Sequence, residues 1–586
     1  MTLTRAERAL ANQVSAEGLQ ACVAWLARRE RLSGSPEERA AFRGLARRAR
    51  ALGLEVEEHA PECFVSWPRE AALELLDGAP RPIPCITHAM AASTPPEGVV
   101  LDLVDLGRGE APAVAERPVR GRAALCDGLA MPGKVHRLEA AGVAAQIHVS
   151  GARLHEMITS IVWGSPAPDT AGLLPAQPVV SVTAEGGETL RAALERGPAR
   201  VRLRTVVETG WRRLPVLIAH LRAPRGSGDF LLLSGHVDSW HAGAMDNASG
   251  NAVQLEVARL LAGRRSRLRR DLRLAFWSGH SHGRYAGSAW YADRFWRDLH
   301  EHGVLHLNAD CLGARGATCL TEAIAMAEAR GVASDIVEAV AGQRLSGARP
   351  PRAGDQSFWG HGIPALFMTL SEQPAGASET ARAYAMLMGG QARSGGLGWW
   401  WHTPEDTPDK LDAAHLVRDA QIYLLVARRF LEDPVLPLDY RAAAAEARGV
   451  LGQYAVAAGA RFDLSPVSDA LRELEAALRR LDRRTAGRLS PRQVTAVNRC
   501  LMALGRELIP INYCRAERFA HDPTLPVPPF PGLEPVRRLG SLDPASDAAR
   551  QLQVGLLRQR NKVEHHLRRA AAVVTETLRA LPGRES

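Results

Sequence analysis

The stretch Asp229–Leu261, DFLLLSGHVDSWHAGAMDNASGNAVQLEVARLL, constrains this chain more than any other. Phe230-Leu231-Leu232-Leu233 is a short apolar run of the kind that makes a buried strand, and Ser234-Gly235-His236 turns polar at once. Further on, Asp246-Asn247-Ala248-Ser249-Gly250 leads into Val253, Val257, Leu260 and Leu261, whose spacing marks the buried face of a helix. In open α/β sheets, ligands bind beyond the carboxyl ends of the strands. His236, Asp238 and Asp246 therefore stand where such a sheet does its chemistry.

These residue types suit a metal. A neutral imidazole is a good zinc ligand, and one carboxylate using both oxygens can hold two ions side by side. In His-x-Asp, the carboxylate of Asp238 is placed to accept the other imidazole N–H of His236 and fix its tautomer. The plain alternative for each residue alone is a strand-end histidine bonded to a loop aspartate, with Asp246 as a helix cap. The set of three in one strand–loop–helix favours the metal.

The same texture continues along the chain. From about 211 to 438 strand candidates (Phe230–Leu233, Leu272–Trp277, Val304–Ala309 and Ile363–Leu370) alternate with helices expected at 250–262, 287–298, 330–343 and 412–431. This predicts a mostly parallel α/β sheet covered by helices. Polar clusters lie in the loops around these strands: His280-Ser281-His282 follows the second and Asp310 the third, Asp355-Gln356 precedes the fourth, and His402-Thr403-Pro404-Glu405-Asp406 lies before the last long helix. On the strand-end rule they converge with His236 and Asp246 on one site.

At 586 residues the chain exceeds a single core. Residues 1–60 read as a helical lead-in packed on another domain, with Ser35-Pro36-Glu37-Glu38 as cap, first-turn proline and acids. Residues 61–210 carry short β-like runs broken by Pro and Gly, a mixed α/β insert. Residues 439–586 are helical, with apolar stripes at Leu471, Leu474, Leu478 and Leu481 and at Leu552, Leu556, Val563, Leu567, Val574 and Leu578 that need a partner surface. A homodimer through this region is the expectation, with packing onto the α/β domain as its alternative.

The charge balance, 73 Lys and Arg against 64 Asp and Glu, is a modest excess. Its densest run, Arg264 to Arg270, joins a helix to the next strand and reads as a solvated loop, so no nucleic-acid partner is expected. The cysteines are scattered without a C-x-x-C pair. There is no signal-type amino terminus and no apolar run of membrane-spanning length. A reduced, cytoplasmic protein with no membrane partner is expected.

GHVDSW…GAMDNASG, HLNADCLG, GDQSFWGHGIPAL and WHTPEDTPDKLD resemble, in order and spacing class, the zinc peptidase family that includes glutamate carboxypeptidase II, aminopeptidase Y and the transferrin receptor. VRGRAALCDG, LEAAGVAAQIHVS and LPAQPVVSVTAEGGETL resemble a protease-associated domain, and LIPINYCRAERFAHDPTLPVPPFPGL resembles the helical dimerisation domain of that family's carboxypeptidase branch. The resemblance implies one or two zinc ions. His236, Asp246 and Asp310 would hold one, and Asp246, His402 and one further residue the other, with Asp238 behind His236. It also implies an adjacent pair of glutamates as remaining ligand and general base.

That pair is missing. The chain reads Trp277-Ser-Gly-His280-Ser281-His282-Gly283 through Gly287-Ser288, one residue longer than the family's pattern. Counting from Trp277 puts His280 at the base and Ser281 at the ligand; counting back from Gly287 puts Ser281 at the base and His282 at the ligand. Imidazole can fill either role, so His280 is expected in the site as ligand or base and His282 turned aside or donating from behind. Activity is then expected to fall as pH drops below the usual imidazole range. Two functions fit: a metal-dependent hydrolase of an amide, peptide or related C–N bond in a small peptide or amide-bearing molecule, or a non-catalytic binding or assembly protein like the transferrin receptor.

Overall fold

A computed structural model describes residues 3–388, 390 and 394–581. Its larger core is built on a six-stranded sheet in the order Glu55–His59, Val216–Leu221, Asp271–Trp277, Phe230–His236, Gly303–Asn308, Ala365–Leu366. The last four strands run parallel and the first two join antiparallel. Every residue of the Phe230–His236 and Asp271–Trp277 strands is buried, as expected where helices cover both faces of a sheet. The helices Gly250–Ala262, Ala327–Ala341 and Ala413–Glu432 lie against it.

Several expectations shift. The lead-in does form helices, Arg5–Ala11, Ala16–Leu26 and Pro36–Ala51, with the Ser35 side chain accepting from Glu38 N. It then adds the edge strand Glu55–His59 to the main sheet. Glu55, Glu57 and Glu58 make that strand look like a loop, but charge is what keeps an exposed edge from pairing with other chains. Ile363–Leu370 shrinks to the two-residue strand Ala365–Leu366. The helix expected at 287–298 breaks at Phe295 into Ala286–Arg294 and Trp296–His302.

Residues 62–213 carry a second sheet of eight strands, with Glu62–Leu75 and Arg200–Arg213 as its long antiparallel pair. Beyond it, Tyr440–Ala458, Ser465–Thr485, Pro491–Tyr513 and Asp547–Ala580 form the carboxyl-terminal helices. Leu471, Leu474, Leu478 and Leu481 are buried there, as are Leu556, Val563, Leu567 and Val574. The stripes thus find cover within the chain, chiefly where Ser465–Thr485 packs along Asp547–Ala580. Residues 582–586 lie outside the described ones.

The arginine run is not a solvated loop throughout. Arg264 grips both carboxylate oxygens of Glu432 at 2.7 Å, while Arg270, 3% exposed, donates to the carbonyls of Phe430, Asp433 and Pro434. The run caps the carboxyl end of the Ala413–Glu432 helix, where free carbonyls and the helix dipole attract cations.

Candidate metal centre

Because Phe230–His236, Asp271–Trp277 and Gly303–Asn308 are parallel neighbours, the residues that follow each emerge on one side of the sheet. His236 ends its strand fully buried. Its Nε2 lies 2.9 Å from Asp246 Oδ1 and 3.4 Å from Asp310 Oδ1, and the second Asp246 oxygen is 3.1 Å from His402 Nε2. Asp246 thus stands between two imidazoles with one oxygen toward each. One ligand atom each from His236, His280 and Asp310 lie within 4.8 Å of one another, and the same holds for Asp246, Asp310 and Cys311. His280 therefore groups with His236 and Asp310, not with His402 as the expected second ligand set required.

His236 Nε2, Asp246 Oδ1 and Asp310 Oδ1 are buried and make no hydrogen bond. Buried polar atoms without partners are rare and costly, and three facing one another are what a cation among them would satisfy. Imidazole and carboxylate donors suit zinc. The electrostatics agree. Burial works against charge on His236, but Asp310, Asp238 and Asp246 outweigh it and push its pKa well up. Burial likewise opposes charge on Asp246 and Asp238, yet the neighbouring histidines hold both carboxyls well below the usual range. The cage favours positive charge.

The outer partners set the tautomers. His236 Nδ1 faces the main-chain carbonyl of Asp238 at 2.9 Å and His402 Nδ1 that of Glu156 at 2.6 Å; each donates there, so Nε2 is the atom turned toward Asp246. The expected bond from His236 to the Asp238 carboxylate is replaced by this carbonyl bond, with the carboxylate 3.6 Å away. That carboxylate reaches the neighbouring strand's turn instead. It accepts from Ser281 N at 2.8 Å, His280 N at 3.3 Å and the Ser33 hydroxyl at 2.7 Å.

Asp238 thereby decides the fate of the His-Ser-His turn. His280 stacks on His236 with ring centroids 3.7 Å apart, and its Nδ1 is 2.7 Å from Asp355 Oδ2. Asp355 is itself held by the Ser288 hydroxyl at 2.6 Å. His282, fully buried, turns away under Trp240 with Nδ1 2.9 Å from Ser33 Oγ, and burial pushes its pKa down. Ser281 supplies its amide to Asp238, and its hydroxyl has no partner. Gly279, at φ 79°, starts the turn; a Cβ there would meet Leu214 and Ala286 at under 3 Å.

Residues given no role by the sequence complete the site. Arg31, 1% exposed, donates to the carbonyls of Val237, Ala242 and Gly243 and so holds the loop between His236 and Asp246. Asp406 accepts from the amides of Met245 and Asp246; burial pushes its pKa up to about 7, these two bonds opposing the shift. Burial and Glu30 push Glu156 up to about 8. Burial and the carboxylates of Asp246, Asp310 and Asp406 push the Cys311 thiol well up. Asp406 and Asp355 had a signal, since each lies in one of the polar clusters read from the sequence, and Cys311 adjoins Asp310. Arg31, Ser33 and Glu156 had none.

The profile of peptidase family M28 matches residues 217–427. Over residues 217–427 the chain is thus similar to peptidase family M28. His236, Asp246, His280, Asp310, Asp355 and His402 all fall inside the M28 match, whereas Arg31, Ser33 and Glu156 fall outside it. The chain is 26% identical over 484 residues to a probable glutamate carboxypeptidase VP8 of Zea mays, covering 70% of this chain and 66% of that one. To carboxypeptidase Q of Bos taurus it is 25% identical over 281 residues, 44% of this chain and 57% of that one. It thus spans just under two thirds of the length of the first relative and less of the second. Among solved structures, an aminopeptidase from Aneurinibacillus sp. strain AM-1 superposes with a TM-score of 0.54 at 21% identity, covering 73% of this chain and 96% of the other. A peptidase M28 precursor from Shewanella amazonensis gives 0.55 at 17% identity, covering 72% and 96%. These likenesses show that the region matched by the M28 model has the mixed α/β fold of such aminopeptidases.

Proposed function

We propose that the chain is a zinc-dependent hydrolase of peptide or related amide bonds, with His236, Asp246, Asp310 and His402 holding the metal and His280 moving the proton. The observation that carries this reading is the buried cage, in which three ligand atoms without hydrogen-bond partners face one another and two imidazoles turn Nε2 toward one aspartate. Zinc held there would polarise the substrate carbonyl and make water a nucleophile near neutral pH. The carboxypeptidase names of the two relatives favour a peptide substrate.

His280 is read as the base because its side chain is 15% exposed, against 0% for His236, 6% for Asp246, 8% for Asp310 and 9% for His402, so water and substrate reach it first. Asp355 Oδ2 accepts a hydrogen bond from His280 Nδ1–H, which leaves Nε2 as the nitrogen free to accept a proton. Nε2 accepts a proton from water as its oxygen attacks the carbonyl carbon, then returns it to the nitrogen of the departing amine. A binding protein without catalysis is not favoured, because both the cage and an oriented base are kept. The test is elemental analysis of the full chain with turnover of dipeptides and N-acyl amides, with and without chelator. Zinc in the wild type, its near-complete loss in Asp246→Ala, and turnover abolished by chelator and restored by zinc are expected. Wild-type protein prepared without chelator that contains no metal would overturn the reading.

A further inference from the structure

We propose that Cys311 is itself a ligand of the metal centre, its Sγ joining the carboxylates of Asp246 and Asp310. The inference rests on the metallohydrolase reading and adds a soft, anionic donor to a set made otherwise of imidazole and carboxylate. Sγ and one oxygen from each aspartate lie within 4.8 Å of one another, a spread that one ion can draw together. All three side chains are buried, Cys311 at 3%, Asp246 at 5% and Asp310 at 6% exposure. Oδ1 of each aspartate has no hydrogen-bond partner, an observation independent of the cysteine.

The backbone supports the assignment. Cys311 sits at φ 53°, a left-handed conformation uncommon for a residue with a Cβ and often kept for a purpose. Its amide donates to Asn247 Oδ1 at 3.3 Å, and the same oxygen accepts from Gly250 N. Asn247 adjoins Asp246, so one side chain ties the cysteine to the loop of the central carboxylate. Charge points the same way. His236 and His402 are neutral as ligands, so within the proposed ligand set Asp246 and Asp310 carry the negative charge toward one or two divalent ions. A thiolate adds a third, and zinc binds thiolate strongly. On binding, the thiol proton passes to solvent. The competing role is that of a small core residue, since Cys311 packs with Met245, Ala314, Ala317 and Trp400.

Spectroscopy on the metal-loaded full chain separates the two. Zinc X-ray absorption of the wild type should show one sulfur neighbour at about 2.3 Å. The cobalt-substituted wild type should show thiolate-to-cobalt charge-transfer absorption in the near ultraviolet. Cys311→Ser should lose both signals, and Cys319→Ser should keep them. Metal bound through nitrogen and oxygen alone in the wild type overturns the proposal and leaves the hydrolase reading standing. Protein that takes up no metal overturns both. The X-ray measurement needs no variant, so a poorly folded Cys311→Ser would not protect the idea.

Discussion

His280 and His282 are two positions apart on one turn, yet their surroundings differ. His280 lies over His236 with its outer nitrogen on Asp355, and His282 lies under Trp240 against Ser33. Removing a positioned acid–base group costs about 10²–10⁴ in rate. His280→Ala should therefore lower turnover by about that factor with zinc content kept, while His282→Ala should lower it less than roughly tenfold, acting only through the Asp238 clamp. Equal, small effects in steady-state kinetics and metal analysis would remove His280 from the chemistry. Counting along the chain from Trp277 or back from Gly287 gives different answers here because one extra residue can bulge anywhere in a turn. In the structure Asp238 accepts from the amides of His280 and Ser281 and so fixes the course of the turn.

At the scale of elements, polarity misled where burial overrode it. Glu55–His59 is a charged edge strand, Arg270 a buried helix staple, and Glu328, in the first turn of Ala327–Ala341, a buried acid at 4% exposure. Burial pushes Glu328 up to about 7 from the ordinary 4.5. A raised folded-state pKa gives stability that is complete below the unfolded value and is lost as pH rises through the folded one. Wild type should thus weaken between about pH 4.5 and pH 7, and Glu328→Gln should not share that loss. Comparing unfolding at pH 5 and pH 8, the variant should gain roughly 2 kcal/mol on the wild type across the interval. Parallel pH profiles for the two proteins would show that Glu328 is not buried as a neutral acid.

On the scale of the molecule, the candidate centre draws on three separate stretches of chain. Arg31 and Ser33 come from the loop between two amino-terminal helices, Glu156 from the second-sheet segment, and the rest from the region that the M28 model matches. Ser66 N bonds the carbonyl of His282 at 2.8 Å, so that segment also touches the turn. The carboxyl-terminal helices are pinned through Arg506, 8% exposed, which donates to the carbonyls of His300, Gly362 and Gly303. Truncating it leaves three carbonyls short of a charged donor, a loss of about 3 kcal/mol. Arg506→Ala should lower the unfolding midpoint in denaturant while zinc content at low temperature stays at the wild-type level. An unchanged midpoint would mean that the helices are held by their apolar contacts alone.

The sequence by itself determined the α/β core and the residues at its strand ends. An apolar run that turns polar in one step has little choice about where its last residues emerge, so His236, Asp246, Asp310 and His402 could be named from pattern and resemblance. Tertiary structure alone decided which atoms meet. The Nδ1 partners of His236, His280 and His402 are a carbonyl, a carboxylate and a carbonyl supplied by segments up to 246 residues away. Contacts across such separations depend on how whole segments pack, which leaves no local periodicity to read. The same holds for Ser33, whose hydroxyl joins Asp238 to His282 only because the amino-terminal helices fold back over the sheet.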